Sequence, residues 1–416
     1  MTKLFPGRAW HARTVVIDDP GALDRYLSDA ADVAWLRQGD GVVGLGVADQ
    51  VSVGDPAGAQ AWWSEFSESI EHETELVGEW GVGPLAFASF AFDPAAPGAR
   101  SVAIAPRVII GRRGDLCWAT TLAPADSAPP PLPRPAPAPS APGAISYPPD
   151  QAERAAWLER VARAVEQLAQ GEALDKVVLA RAVAARAAEP VDPRWLVGRL
   201  ASSYPSCWTY HVDGLVGASP ELLVRSRGGL ALSRVLAGTV ERHHEEADDL
   251  LAVALTESAK DVVEHEIAVK SVADALAPVS SGINVPEQPF VLRLPNVMHL
   301  ASDITAATLP GVTALDLIGR LHPSAAVCGT PRDAARATIS ELEGLDRGRY
   351  AGPVGWVDTN GEGEWAIALR CGQIGADPHD ITLFAGCGIV AGSVPERELS
   401  ETDAKLQPMR EALGDA

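Results

Sequence analysis

Two stretches of the chain carry carboxylates at helical spacing. Glu257, Asp261 and Glu264 stand at i, i+4 and i+7, which puts three side chains on one face of a helix. Glu398 and Glu401 stand at i and i+3, with Lys405 one turn further. Each face read alone is solvated surface. Brought together, the two would offer the hard oxygen ligands that Mg²⁺ takes alongside water or substrate. Spacing leaves both readings open.

Three other residues could do chemistry. Lys176 opens the apolar run Val177-Val178-Leu179, so it is either an edge charge or a partly desolvated amine of lowered pKa, fit to act as a base. Glu221 follows Ser219-Pro220 and precedes Leu222-Leu223-Val224; it is a solvated strand-edge carboxylate or a buried general acid of raised pKa. His299, in Val297-Met298-His299-Leu300, is a satisfied core histidine or a pocket residue. His243-His244-Glu245-Glu246 reads as a solvated turn at a helix start rather than a metal site. Gly386-Cys387-Gly388-Ile389-Val390-Ala391 fits G-x-G-x-x-A, but Gly392, Ser393, Val394 and Pro395 start no helix directly. A dinucleotide fingerprint needs that helix N-terminus. A glycine-lined turn beside a substrate carboxylate fits better.

The elements that must position these groups are legible from period and punctuation. Residues 124–149 hold 11 prolines in 26 positions, which excludes regular helix or sheet and marks a surface loop or a linker. Before it, Val33–Leu36, Gly41–Val47, Leu85–Phe92 and Ser101–Gly111 read as strands and Ala57–Trp80 as a helix. After it, Asp150–Gln170 has an amphipathic period closed by Gly171. Lys176–Ala185, Leu215–Arg225 and Leu230–Leu236 read as strands, the last two joined through Gly228-Gly229. A long helix is expected from about Glu245 to Leu276. Strands follow at Pro353–Asp358, Glu364–Ile374 and Asp380–Ile389, then a helix over Glu398–Leu413. Hairpins and helices in blocks predict an α+β fold, with large antiparallel sheets flanked by helices. The expected organisation is a sheet-contributing part over 1–123, the Pro-rich segment 124–149 and a catalytic part over 150–416, intertwined as one domain.

Composition narrows the function. The 416 residues carry 55 Asp+Glu against 34 Lys+Arg, a net charge of −21. That disfavours sequence-independent binding to nucleic acid or to an anionic membrane. No run of about 18 apolar residues exists to span a bilayer. The first residues lack the apolar core of a secretory signal. Five cysteines without a C-x-x-C pair suit a reduced, cytoplasmic protein with no disulfide framework.

Ten collinear segments over about residues 150–410 resemble the chorismate-utilising enzymes, and within them the isochorismate synthases. They are KVVLAR (176–181), GASPELLVR (217–225), LAGTV (236–240), AKDVVEHEIAV (259–269), VMHLAS (297–302), LHPSAAVCGTP (321–331), GRYAGPVGWVD (348–358), GEWAIALRC (363–371), LFAGCGIVAGS (383–393) and RELSETDAKL (397–406). The first 123 residues resemble the family only loosely, mainly at PLAFASFAFD (84–93).

The resemblance implies an isomerase of the hydroxymutase type, in which water adds to chorismate at C2 as the C4 hydroxyl leaves. It implies Mg²⁺ on Glu264 and Glu401, with Asp261 and Glu398 as supporting or water-mediated ligands. Lys176 would be the base and Glu221 the acid. Gly238, Thr239, His299, Ala326, Tyr350, Arg370, Gly386 and Gly388 would hold the substrate. Chorismate is a dianion, so an acidic protein must neutralise it locally, through the metal and the donor fork of Arg370. Lys176 speaks against anthranilate synthases, and Ala237 and Ala326 against the aminodeoxychorismate synthases, both of which work with a glutaminase; no such subunit is expected here. Salicylate synthases share the lysine and remain an alternative, as does amination of the aminodeoxychorismate synthase type, with a non-catalytic chorismate-binding regulator a remote one. Both menaquinone and siderophore biosynthesis are open as destinations. Cys387, where alanine is commoner, leaves the flanking glycines intact.

Overall fold

A computed structural model describes residues 9–171, 173–242 and 248–414. The fold is α+β. Its strands form one hydrogen-bonded network that divides into two limbs at a long, bent pair, Asp40–Val53 and Ser101–Arg113. The pairing shifts register between Val47 and Asp49, next to Gly46 at φ 61°, where the ladder bends.

One limb runs from that pair through Val33–Arg37, Trp208–Val212, Leu215–Ser219, Cys371–Ile374 and Asp380–Ile389 to Lys176–Ala187. The other runs through Leu85–Ser89, Pro353–Asp358, Gly363–Ile367, Leu222–Arg227 and Leu230–Glu241 to Val297–Thr308. These pairs are antiparallel; Trp10–Val16 and Ile70–Thr74 pair in parallel. Strands from the first 123 residues thus bond directly to strands of the later part in both limbs. Trp118, Trp157, Trp208 and Trp365 are fully enclosed between sheets and helices. No helix among the described residues is long and apolar enough to cross a membrane.

Several elements break where the expected ones run on, each for a local reason. The helix read over 57–80 spans Pro56–Glu68, capped by Asp55, and gives way to the strand Ile70–Thr74. That strand alternates one residue in two, the strand period. The helix expected over 245–276 is two helices, Asp248–Glu257 and Ala259–Leu276. Ser258 accepts a hydrogen bond from the Asp261 amide and caps the second, so the chain restarts there. Glu257 therefore ends the earlier helix, exposed, and does not share a face with Asp261 and Glu264. The start at Glu245 and the run His243–Glu246 lie outside the described residues. Pro220 divides the strand read over 215–225, and Arg370, at φ 50°, divides the one over 364–374. Both breaks fall in the site described below.

The Gly228-Gly229 turn has φ of 57° and 75°, the two left-handed residues that a tight hairpin turn of this type requires. The Pro-rich segment is extended coil tied to the body by the Ala136 amide on the Arg25 carbonyl, with a short strand at Ile145–Ser146 beside Ala187 and Arg186.

One buried pair fixes the strand Lys176–Ala187 from behind. Arg347 donates to both oxygens of Glu343 at 2.7 and 2.6 Å, to the Val178 carbonyl at 2.7 Å and to the Val327 carbonyl at 2.9 Å. Glu343 in turn accepts from the Ala180 amide at 3.0 Å. Removing one partner of such a pair leaves the other charge buried and alone. Glu343→Ala should therefore lower the unfolding free energy by about 3–5 kcal/mol in denaturant titration. A loss below about 1 kcal/mol, the range of exposed ion pairs, would contradict that role for the pair.

Candidate active site

A cavity lies between the two limbs. The helix Ala259–Leu276 packs on Leu230–Glu241 and Val297–Thr308, while the helix Pro395–Leu413 packs on Asp380–Ile389. Glu221, Gly238, Thr239, Glu264, His299, Ala326, Tyr350, Arg370, Gly386, Gly388 and Glu401 all line the cavity. Three expected residues stand behind the wall: Lys176, Asp261 and Glu398.

Lys176 is the first residue of its strand and its side chain is 0 % exposed, so it is no edge charge. Its Nζ lies 3.0 Å from Glu264 Oε1. Gly388, across the ladder from Val178, makes this approach possible. A Cβ at 388 would stand 2.2 Å from Glu264 Oε1 and 2.8 Å from Lys176 Cε. Gly386 is excluded from bearing a side chain by the Leu179 carbonyl at 2.6 Å and the Tyr350 hydroxyl at 3.0 Å. The glycines serve close approach within a strand, and no helix follows until Pro395, so the fingerprint reading stays rejected.

Glu221 sits in the two-residue gap between Leu215–Ser219 and Leu222–Arg227. Burial pushes its carboxyl up to about 8, against the opposing pull of Lys176, Lys405 and Arg370. It is a neutral acid at neutral pH.

Arg370 donates through Nη2 to His299 Nε2 at 2.9 Å. That donor requires the lone pair on Nε2, so the ring proton sits on Nδ1, facing Thr239 Oγ1 at 3.1 Å and the Gly238 carbonyl at 3.3 Å. Burial, and then the charge of Arg370, holds the imidazole well below its usual range, hence neutral. His299 orients Arg370 rather than carrying charge itself. Arg370 Nη1 is buried without a hydrogen-bond partner, a donor suited to an anionic ligand. Gly238, at φ 77°, forms a bulge whose Cβ would press on Asp261 at 2.9 Å, so the strand passes close under that helix. Tyr350 stacks on Phe384 with ring centres 5.2 Å apart, forming an apolar wall with Ala326, Val327 and Leu369.

The carboxylates of the two helices each lean on a lysine or a hydroxyl. Glu264 is paired with Lys176; burial would raise its pKa, but the charges of Lys176, Lys260 and Lys405 hold it below the usual range. Glu401 pairs with Lys405, which also donates to the Gly386 carbonyl at 2.9 Å. Glu398 pairs with Lys260 at 2.8 Å, and burial and then Glu401 raise its pKa. Asp261 hydrogen-bonds Ser258, and burial raises it despite that bond. Among the described residues no three His, Cys, Asp or Glu side chains converge closely enough to hold a metal. The donor chemistry nevertheless fits a hard dication: Glu264 and Glu401 face one cavity, and their partners are cations.

Sequence reasoning missed Lys260, Arg347 and Phe384. Lys405 stands one turn from Glu401, which it serves, a signal present in the spacing; Lys260 serves Glu398 on the other helix, which spacing does not show. Arg347 and Phe384 carry no signature apart from the fold that buries them.

Residues 133–414 match the family model described as "Chorismate binding enzyme". Isochorismate synthase DhbC of Bacillus subtilis is 40% identical over 267 residues, 61% of this chain and 66% of that protein. The match thus spans just under two thirds of that relative's length. Isochorismate synthase MenF of the same organism is 30% identical over 383 residues, 85% of this chain and 80% of that protein. The structure of MenF, the menaquinone-specific isochorismate synthase from Escherichia coli, superimposes with a TM-score of 0.78 at 26% identity, over 98% of this chain and 95% of that one. The family match covers well over half of the sequence and contains every residue of the site just described, and the chain belongs to the chorismate-binding enzymes.

Proposed function

We propose that the protein is an isochorismate synthase, converting chorismate to isochorismate. The observation that carries this is a buried neutral carboxyl, Glu221, lining a cavity behind whose wall a fully buried lysine, Lys176, is held by Glu264, in a chain related to enzymes of that name. In the reaction Lys176, in its free-amine form, takes a proton from water as the water oxygen bonds to C2. The ring double bond shifts, the C4–O bond breaks, and Glu221 protonates the departing hydroxyl, which leaves as water. Arg370, with its open Nη1 donor, pairs with a substrate carboxylate; His299 and Thr239 hold that arginine in place. The wall of Tyr350, Phe384 and Ala326 excludes bulk water from the ring.

Glu264 and Glu401 would hold Mg²⁺, with Glu398 and Asp261 in support. The ion would supply positive charge against a substrate carboxylate. Lys176 and Ala326, read against the amine-forming relatives, favour an enzyme that acts without a glutaminase subunit. Five buried free cysteines suit the reducing cytoplasm.

Chromatography of a chorismate incubation, with and without Mg²⁺ and with excess ammonium, tests this reading. Isochorismate in equilibrium with chorismate, formed only with the metal, is expected. Stoichiometric salicylate and pyruvate would make the protein a salicylate synthase; an aminated ring would overturn the role of Lys176.

The acid and the base can be tested separately. Lys176→Ala and Glu221→Gln should each lower kcat by at least about 10²-fold, with a much smaller change in substrate affinity. The general acid must be protonated, so activity should fall as pH rises through about 8, where Glu221 loses its proton. That alkaline limb should vanish in Glu221→Gln. A Lys176→Ala enzyme that keeps most of its kcat would remove the lysine from the mechanism.

A further inference from the structure

Three lysines stand against four carboxylates where the two acidic helices approach. Lys176 meets Glu264 behind the cavity wall, and Lys405 pairs with Glu401 while holding the Gly386 carbonyl. Lys260 is placed differently. It does not line the cavity, its side chain is 34 % exposed, and its Nζ reaches from the helix Ala259–Leu276 to Glu398 Oε1 on the helix Pro395–Leu413. Among the described residues no other hydrogen bond or ion pair joins those two helices.

Glu398 is 2 % exposed and lies one turn from Glu401, so without Lys260 two carboxylates would face each other with little water between them. Lys260 also feels the charges of Glu264 and Glu401. With all seven groups ionised the cluster carries one negative charge. Apart from Lys260 the groups carry two negative charges, which a dication would cancel, so the Lys260 ammonium would lose its net attraction and stand against the charge of the ion itself.

We propose that Lys260 is a built-in stand-in for the metal: its ammonium holds the two carboxylate-bearing helices together when no dication is bound, and opposes the dication when one binds. This rests on the reading that Glu264 and Glu401 hold Mg²⁺. Lys260 is a positioning residue; it need not touch the substrate.

Lys260→Met keeps the apolar stem and removes the charge; Lys260→Arg keeps the charge. The whole protein is melted in chelator and in saturating MgCl₂, and Mg²⁺ affinity is measured by calorimetry. Lys260→Met should melt at least about 2 °C below wild type in chelator and within less than half that difference in MgCl₂. It should bind Mg²⁺ at least about threefold more tightly, since a repelling charge is gone. Lys260→Arg should follow the wild type in both buffers. An equal loss of melting temperature with and without Mg²⁺ would make the lysine an ordinary interhelical tie, and weaker Mg²⁺ binding by Lys260→Met would make it part of the metal's support; either overturns the proposal. A wild type that binds no Mg²⁺ and melts alike in both buffers would instead remove the metal reading itself, and the stand-in role with it.

Discussion

The ion pair between Lys176 and Glu264 is the contact on which the site depends. Lys176 is fully enclosed and Glu264 nearly so, and such a pair is stable only when each partner is held and no third group intrudes. Several features of the fold serve that condition. Gly388 leaves the gap through which they meet. The Arg347–Glu343 pair pins the strand two and four residues beyond Lys176. Ser258 restarts the helix so that Glu264 falls on its buried face.

A second constraint is charge. The chain as a whole carries −21, yet the substrate proposed for its cavity is a dianion. Lys405 and Arg370 supply positive charge at the cavity wall, and Glu221, kept neutral by burial, adds no repulsion at neutral pH. The same burial that makes Glu221 an acid makes His299 a neutral spacer for Arg370. Two titratable groups with similar surroundings thus differ, one a neutral carboxyl that retains its proton and the other a fixed hydrogen-bond partner.

Much of the fold was legible because its punctuation is local. Gly228-Gly229, Gly171 and the period of Asp150–Gln170 act within a few residues, and the elements they mark are present. The misread helices failed where a weaker signal was overlooked: alternation in Ile70–Thr74, and Ser258 with Asp261 three residues on. The site was legible as a set of residues, since most of those read from the sequence line one cavity. The depth of each was not. Burial decides whether Lys176 is an edge charge or a base and whether Glu221 is an acid, and it comes from strands far away in sequence. Lys260 and Arg347 escaped for the same reason, because their partners lie 138 and 169 residues away at Glu398 and Val178.

Substitution of Gly388 by alanine tests the central dependence most directly. The added methyl would press on both Lys176 and Glu264, its three nearest atoms belonging to that pair. The account predicts that Gly388→Ala loses at least about 10²-fold in kcat, the scale of a misplaced acid–base group. Its melting temperature should stay within a few degrees of wild type. A Gly388→Ala enzyme with near-normal kcat would show that the reaction does not need this contact.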